Sequence, residues 1–556
     1  MKWIDLDAGG PLRLKKRSYR VVRDVSCIRD LCARLLSRER QRCGPRSGHV
    51  REWSTVDCHV GALDVWKPGS SMLAAGHTLM RYGSVMEDKG SLLIRGGTVV
   101  TATGRSQADV LVRDGRIEAV GRGLGEDDST VDRVIEAAGH WVMPGGIDTH
   151  THLAHPIGRL GVNTADDFYT GTVAGAFGGV TTIIDFGLQD QGGTLHDARD
   201  HRLGVIDPDA VIDFGFHLIV TDVNDGVLAE MGDLIRSGFP SFKVYMTYGD
   251  KKIGDDDLIL LLEVAGEYGG LIYAHCENDC AVTHLIERHL AEGKTGPAYH
   301  ATSRPPAVEA EATNRAIMLA ELSGAPICIA HVTSSGAAQH VAEARARGAA
   351  VAAETCPQYL VLDSSVYDPG AGCEVAKFVC SPPMREHSHV DALWDALADG
   401  SIQQVSSDHA PFRYEGQKTG GCDDFTQIPN GLPGIETRLP IVFTEGVATG
   451  RLSPERFVEL TATAPARIFG LVTKGRIEPG ADADLIVVDP EREVEITADV
   501  LHSDIDYSPY EGMMLRGFPT WTIARGDVII DDGELVAERG RGRLVERIPI
   551  ASASLP

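Results

Sequence analysis

No apolar stretch in the 556 residues approaches the ~18 needed to cross a membrane. The opening residues, Met1 to Gly10, lack the basic start and apolar middle of a secretory signal. Basic charge is in deficit as well: 53 Lys and Arg face 79 Asp and Glu, a formal net charge of −26. That balance argues against nucleic acid or an anionic membrane surface as partner, because both demand clustered cations. The 11 cysteines lack the regular spacing of a disulfide framework, and in a long chain without a secretion signal they read as free thiols in a reducing compartment. A cytoplasmic location is the default expectation.

What is present is ordinary for a globular protein, 43% apolar and 24% charged, and long enough for more than one domain. The first 85 residues are foreign to the rest. They hold 16 Lys and Arg against 8 Asp and Glu, whereas the remainder holds 37 against 71. Cys27, Cys32, Cys43 and Cys58 also fall there, and the Arg-rich run from Arg34 to Cys43 matches no nucleic-acid module. Residues 1–88 are therefore expected to be a basic extension, either disordered or a non-native start. A targeting or partner-binding arm is one reading; the favoured one places the working start at Met86 or Met80.

From Ser91 short β runs appear, at 92–94, 98–101, 109–112 and 116–120, divided by Gly and Asp turns. The same texture returns at 475–488 and 521–530. Residues 89–142 and 473–540 are expected to pair into one discontinuous β-sandwich, with 541–556 as a C-terminal tail. Between them, apolar runs at 181–186, 214–220, 241–246, 270–275, 325–331, 350–355 and 402–408 alternate with helix-like stretches such as 257–268 and 307–323. With the segment ending at His152 these make eight βα units, which predicts an α/β fold with a (β/α)8 TIM-like barrel over 143–472.

The chemistry gathers at the strand ends. His150 and His152, two apart on an extended segment, point the same way and can reach one ion. Lys243 lies on the fourth strand, His275 and His331 end the fifth and sixth, and Asp408 ends the eighth. Each has a dull alternative: a hydrogen-bonded core histidine, a lysine whose stem is buried and whose amine reaches water, a helix-capping aspartate. Barrel active sites form at the carboxyl ends of the strands, and six coincidences at one rim are less probable than one metal site.

The motifs Gly-Gly-Ile-Asp-Thr-His150-Thr-His152-Leu, Phe-Lys243-Val-Tyr-Met-Thr-Tyr248, Ala-His275-Cys-Glu-Asn, Ala-His331-Val-Thr-Ser, Cys-Ser381-Pro-Pro-Met-Arg, Ser-Ser-Asp408-His-Ala-Pro-Phe and Pro-Asn430-Gly-Leu-Pro-Gly-Ile-Glu occur in order. Together they resemble the cyclic amidohydrolases, specifically the dihydropyrimidinase and D-hydantoinase branch, from about Ser91 to Ile530. The resemblance implies two divalent metal ions, usually Zn2+, bridged by Lys243 carboxylated on its amine. His150, His152 and Asp408 would hold one ion and His275 and His331 the other. It further implies hydrolysis of a cyclic amide C–N bond in a dihydropyrimidine or 5-substituted hydantoin by a metal-bridging hydroxide, giving an N-carbamoyl amino acid. Asp408 would shuttle the proton, Tyr248 would donate to the oxyanion, and Ser381 and Asn430 would grip the ring, largely through main-chain atoms. A small cyclic amide is the implied partner and a homotetramer the implied assembly. His155 and His409 adjoin the site and are read as supporting or structural.

Dihydroorotases and allantoinases often carry Arg two positions after the second metal histidine, where this chain has Ala154. That favours a neutral ring, with allantoinase-type hydrolysis as the alternative. A metal-free scaffold of the same fold is the rival from another class; it would have lost ligands that are all present here.

Overall fold

The computed structural model describes residues 90–125, 131–550 and 555. The expectations for residues 1–88, including the four early cysteines and a start at Met80 or Met86, lie outside the described residues.

The expected pairing of strand-rich segments from before and after the barrel is observed. β1 (Ser91–Thr101), β2 (Gly104–Arg113), β3 (Arg116–Gly121), β4 (Arg133–Glu136) and β5 (Trp141–Pro144) precede the barrel, which begins with β6 (Gly146–Asp148). A bulge between Ile94 and Gly97 lets the long β1 pair in parallel with β4 at one end and with β5 at the other. After the barrel, Leu485–Val488 joins β5 in antiparallel register, so the sheet is continuous across more than 300 residues of sequence. Its own apolar core draws on both parts, with Ile94, Val110, Val142, Leu485, Val487 and Ile523 all buried. Of the β-like run expected at 475–488, only the last four residues form a strand.

The barrel continues with β7 (Val180–Leu188), β8 (Asp213–Ile219), β9 (Ser241–Tyr245), β10 (Leu271–His275), β11 (Ile327–Ile329), β12 (Val351–Thr355) and β13 (Gln404–Val405). These eight are parallel and neighbour one another in sequence order. The ring closes just past the strands, where Thr151 bridges His409 and His152 N donates to His409 O at 2.8 Å. Strands covered on both faces read as unbroken apolar runs, and β8 and β9 are buried at every residue. Asp167, Thr194, Asn224, Asn278 and Ser334 cap the N-termini of the intervening helices with their side chains, so each helix begins at a defined point after its loop.

The N-terminal mouth of the barrel is stoppered. Phe469, Leu471 and Ile550 pack with the interior side chains Ile184, Phe186 and Tyr273. The C-terminal segment crosses beneath, with Val545 N donating to Phe214 O at 2.8 Å and Ile550 N to Gly269 O at 2.6 Å. The opposite rim, at the strand C-termini, is left open for a site.

The free-thiol reading needs one correction. Cys373 and Cys422, 49 positions apart in sequence, form a disulfide between two loops, with Cα atoms 5.3 Å apart. Cys276, Cys328, Cys356 and Cys380 are free and buried, and Cys280 is free and exposed. Among the described residues no helix is long and apolar enough to cross a membrane.

Candidate active site

All nine residues for which a role was expected line one cleft at the open rim: His150, His152, Lys243, Tyr248, His275, His331, Ser381, Asp408 and Asn430. Three of them, Tyr248 (φ 65°), His331 (φ 35°) and Asp408 (φ 49°), have left-handed backbone, as does Ala154 (φ 46°). Residues other than glycine rarely tolerate that region, and where they do the surrounding fold is holding them for a purpose. Each lies in the loop that follows a barrel strand.

His150 and His152 converge on one carboxylate: their Nε2 atoms lie 3.2 and 3.3 Å from Asp408 Oδ1. These three residues offer ligand atoms within 4.8 Å of one another, a group able to hold a metal ion. Lys243 Nζ is 3.5 Å from His150 Nε2. The His275 and His331 rings stand 4.4 Å apart, and His331 is 5.5 Å from His150.

Burial governs the electrostatics. It drives the imidazoles of His150 and His331 well below the ordinary histidine value, aided by the positive Lys243 and neighbouring histidines. His275 is lowered by burial too, against the pull of Glu277. Neutral imidazoles expose the lone pairs that a cation needs. Lys243 is 1% exposed, and burial lowers its amine despite the opposing charges of Glu354 and Asp408. A lysine is more nucleophilic as the neutral amine, the form that combines with carbon dioxide.

The donor set fits a metal pair. His150 Nδ1 donates to Glu354 Oε1 at 2.5 Å, and the Tyr273 hydroxyl lies 2.8 Å away, so Nε2 is left to face the cleft. His275 uses Nε2 on Glu277 at 2.8 Å, which leaves Nδ1. His331 Nδ1 is buried without a hydrogen-bond partner. Oriented, deprotonated ring nitrogens around a carboxylate and a buried amine are what a borderline divalent ion requires.

Burial raises the Tyr248 hydroxyl above the ordinary tyrosine range, against the lowering pull of the Arg304 charge and of hydrogen bonds with Ser381 and Asn430. The net rise keeps the phenol protonated and able to donate. Gly431 lets the Asn430 loop approach: a Cβ there would meet Ala410 O at 2.4 Å. His409 is structural, with Nε2 3.0 Å from Asp166 and Nδ1 accepting from Gly434 N. His155, expected to support from outside, does line the cleft.

Sequence reasoning missed four buried side chains behind these. Glu354 and Tyr273 steady His150, and Glu277, held by Arg304 Nη1 at 2.6 Å, steadies His275. Glu277 sits two residues after His275, a spacing that returns it to the same side of an extended chain. Glu354 and Arg304 meet their partners only through tertiary folding.

This barrel with its histidine, lysine and aspartate rim matches the model for the amidohydrolase family over residues 141–529, and the chain belongs to that family. Within it the relatives are hydantoinases and dihydropyrimidinases, which places the chain in that branch. It is 46% identical to a D-hydantoinase of Geobacillus stearothermophilus over 82% of this chain and 96% of the relative. It is 41% identical to a D-phenylhydantoinase of Escherichia coli over 82% and 98%. The crystal structure of dihydropyrimidinase from Brevibacillus agri superposes with a TM-score of 0.80 at 44% identity, covering 83% and 99% of the two chains.

Proposed function

We propose that the protein hydrolyses a C–N bond of a dihydropyrimidine or 5-substituted hydantoin ring, giving an N-carbamoyl amino acid. The observation that carries this reading is the meeting of four imidazoles, a buried amine and a carboxylate in one cleft. His150, His152 and Asp408 would hold one divalent ion, His275 and His331 a second, and carboxylated Lys243 would span the two. Zinc suits these ligands. When bound, the ions supply a nucleophile at neutral pH by lowering the pKa of water, and they neutralise developing negative charge.

The chain's own groups do the rest. Tyr248 donates its hydroxyl proton to the carbonyl oxygen as that atom gains charge. Asp408 takes the proton released by the attacking water and returns it to the departing ring nitrogen. Ser381 and the Asn430–Gly431 loop hold the ring amide so that its carbonyl faces the ligand cluster. Ala154 stands where an arginine would meet a carboxylate attached directly to the ring, which supports a neutral ring.

Metal analysis of purified protein is expected to find two zinc ions per chain, and none would turn the reading to a scaffold. Lys243→Ala should lose turnover and retain fewer than two ions, with short carboxylic acids or bicarbonate restoring part of the activity. Full turnover in that variant would remove the bridging role. Dihydrouracil, hydantoin and allantoin assayed side by side would separate the ring classes.

A further inference from the structure

Arg159 and Lys251 line the same cleft as the ligand cluster and have no part in the reaction proposed above. Lys251 N donates to Tyr248 O at 2.7 Å, which pins its backbone next to the oxyanion donor. Its ammonium lies 5.8 Å from the centre of the Tyr245 ring. Its charge also reaches His155, which burial first and then Lys251 hold well below the ordinary histidine value. The His155 ring is 5.0 Å from that of His152. Lys251 thus shares one stretch of the cleft wall with Tyr245 and His155.

Arg159 lines the cleft from another loop, its Nη1 donating to Thr426 O at 2.7 Å; burial lowers the Lys251 amine, with Asp250 opposing and Arg159 adding to the effect. Asp250 also lines this stretch of wall, exposed, and Ile157 and Tyr245 supply an apolar surface between. Lys251 and Arg159 put two positive charges on the lining of one cleft against the single negative charge of Asp250, so an anion entering there meets a net positive wall.

Resting on the cyclic-amide reading, we propose that the preferred substrate carries a carboxylate on its ring substituent and that Lys251 and Arg159 bind it. A carboxylate attached directly to the ring would find no cation at Ala154. One on a short arm extends from the ring to that wall. Water adds across the ring C–N bond, with oxygen going to the carbonyl carbon and a proton to the nitrogen. The arm is untouched, so the product is the N-carbamoyl derivative of an acidic amino acid.

The test uses the zinc-loaded full chain and four rings: hydantoin, 5-carboxyethylhydantoin, the matching neutral carboxamide, and 5-phenylhydantoin. The acid should exceed the carboxamide in kcat/KM by about 10–100-fold, an advantage that shrinks as salt is added. Lys251→Met and Arg159→Met should each pull that ratio towards unity, and Lys251→Glu should invert it. A ratio taken within one variant does not depend on how much of it is folded. A wild-type ratio near unity, or one unmoved in all three variants, overturns the proposal. If hydantoin opens but the acid is not preferred, only this inference falls; if neither any of the four rings nor dihydrouracil opens, the cyclic-amide reading falls with it.

Discussion

At Tyr248 backbone and side chain are both committed to the cleft. The residue sits at φ 65° three positions past β9, and its hydroxyl is kept protonated by burial. If it donates to the oxyanion, Tyr248→Phe should lower kcat about 10²–10³-fold with a smaller change in KM, because the bond is made chiefly in the transition state. An unchanged kcat in steady-state assays would assign the phenol to packing. Glu354 gives a second test at this scale. It is fully buried and accepts from His150 Nδ1, so Glu354→Gln should weaken zinc retention about 10–100-fold in competition with a chelator. Of the nine cleft residues, the four histidines, Asp408 and Tyr248 were legible because they follow or end strands and Lys243 because it lies within one, whereas Ser381 and Asn430, in loops about 25 residues past a strand, were legible only through the motifs around them. Glu354 and Arg304 were not, since their meaning comes from partners 204 and 27 residues away that only the folded barrel supplies.

The element that sets the whole site is β6 with the loop it leads into, and its placement depends on a close approach. A Cβ on Gly145 would fall 2.2 Å from Thr181 Oγ1, on a β-branched side chain of the neighbouring β7 that has little freedom to move. Gly145→Ala should therefore push β6 away from β7 and carry His150 and His152 with it. A stability loss of about 1–3 kcal/mol is expected from such overpacking, read as a lower urea midpoint, together with reduced zinc content. Wild-type zinc content in a destabilised variant would show that the metal loop is set elsewhere. The eight barrel strands were readable because strands covered on both faces leave long apolar runs bounded by helix patterns. β6 was harder: three residues long, it is defined by its hydrogen bonds to β7 and by the motif after it. The disulfide was unreadable for a related reason, because two loop cysteines carry no periodicity that says which folds against which.

At the scale of the whole molecule, the barrel and the sheet beside it are joined by a buried knot of charge. Lys474 Nζ lies 2.8 Å from Asp213 Oδ2, at the start of β8, and 2.6 Å from Asp484 Oδ2, just before the strand Leu485–Val488 of the sheet. Arg525 Nε adds a contact to Asp213 Oδ1 at 2.8 Å. Burial pushes the Asp213 carboxyl up, but Lys474 and Arg525 outweigh it and hold the group at about 2. A carboxylate depressed below its unfolded value contributes stability above that value and loses it as pH falls through the folded one, here between about pH 4 and pH 2 and worth about 2 kcal/mol. Asp484 stands above its ordinary range because burial outweighs Lys474, so it offsets part of that slope. Removing the cation should reverse the behaviour. In Lys474→Met two buried carboxylates are left with less compensation, both pushed upward, and the protonated forms become the ones the fold prefers. The variant should be about 3–5 kcal/mol less stable at pH 7, and its deficit against the wild type should narrow on acidification towards pH 4.5. Apparent melting temperatures at the two pH values decide the matter: a deficit that stays constant or widens in acid would mean that Lys474 holds the two halves together by packing and not by charge.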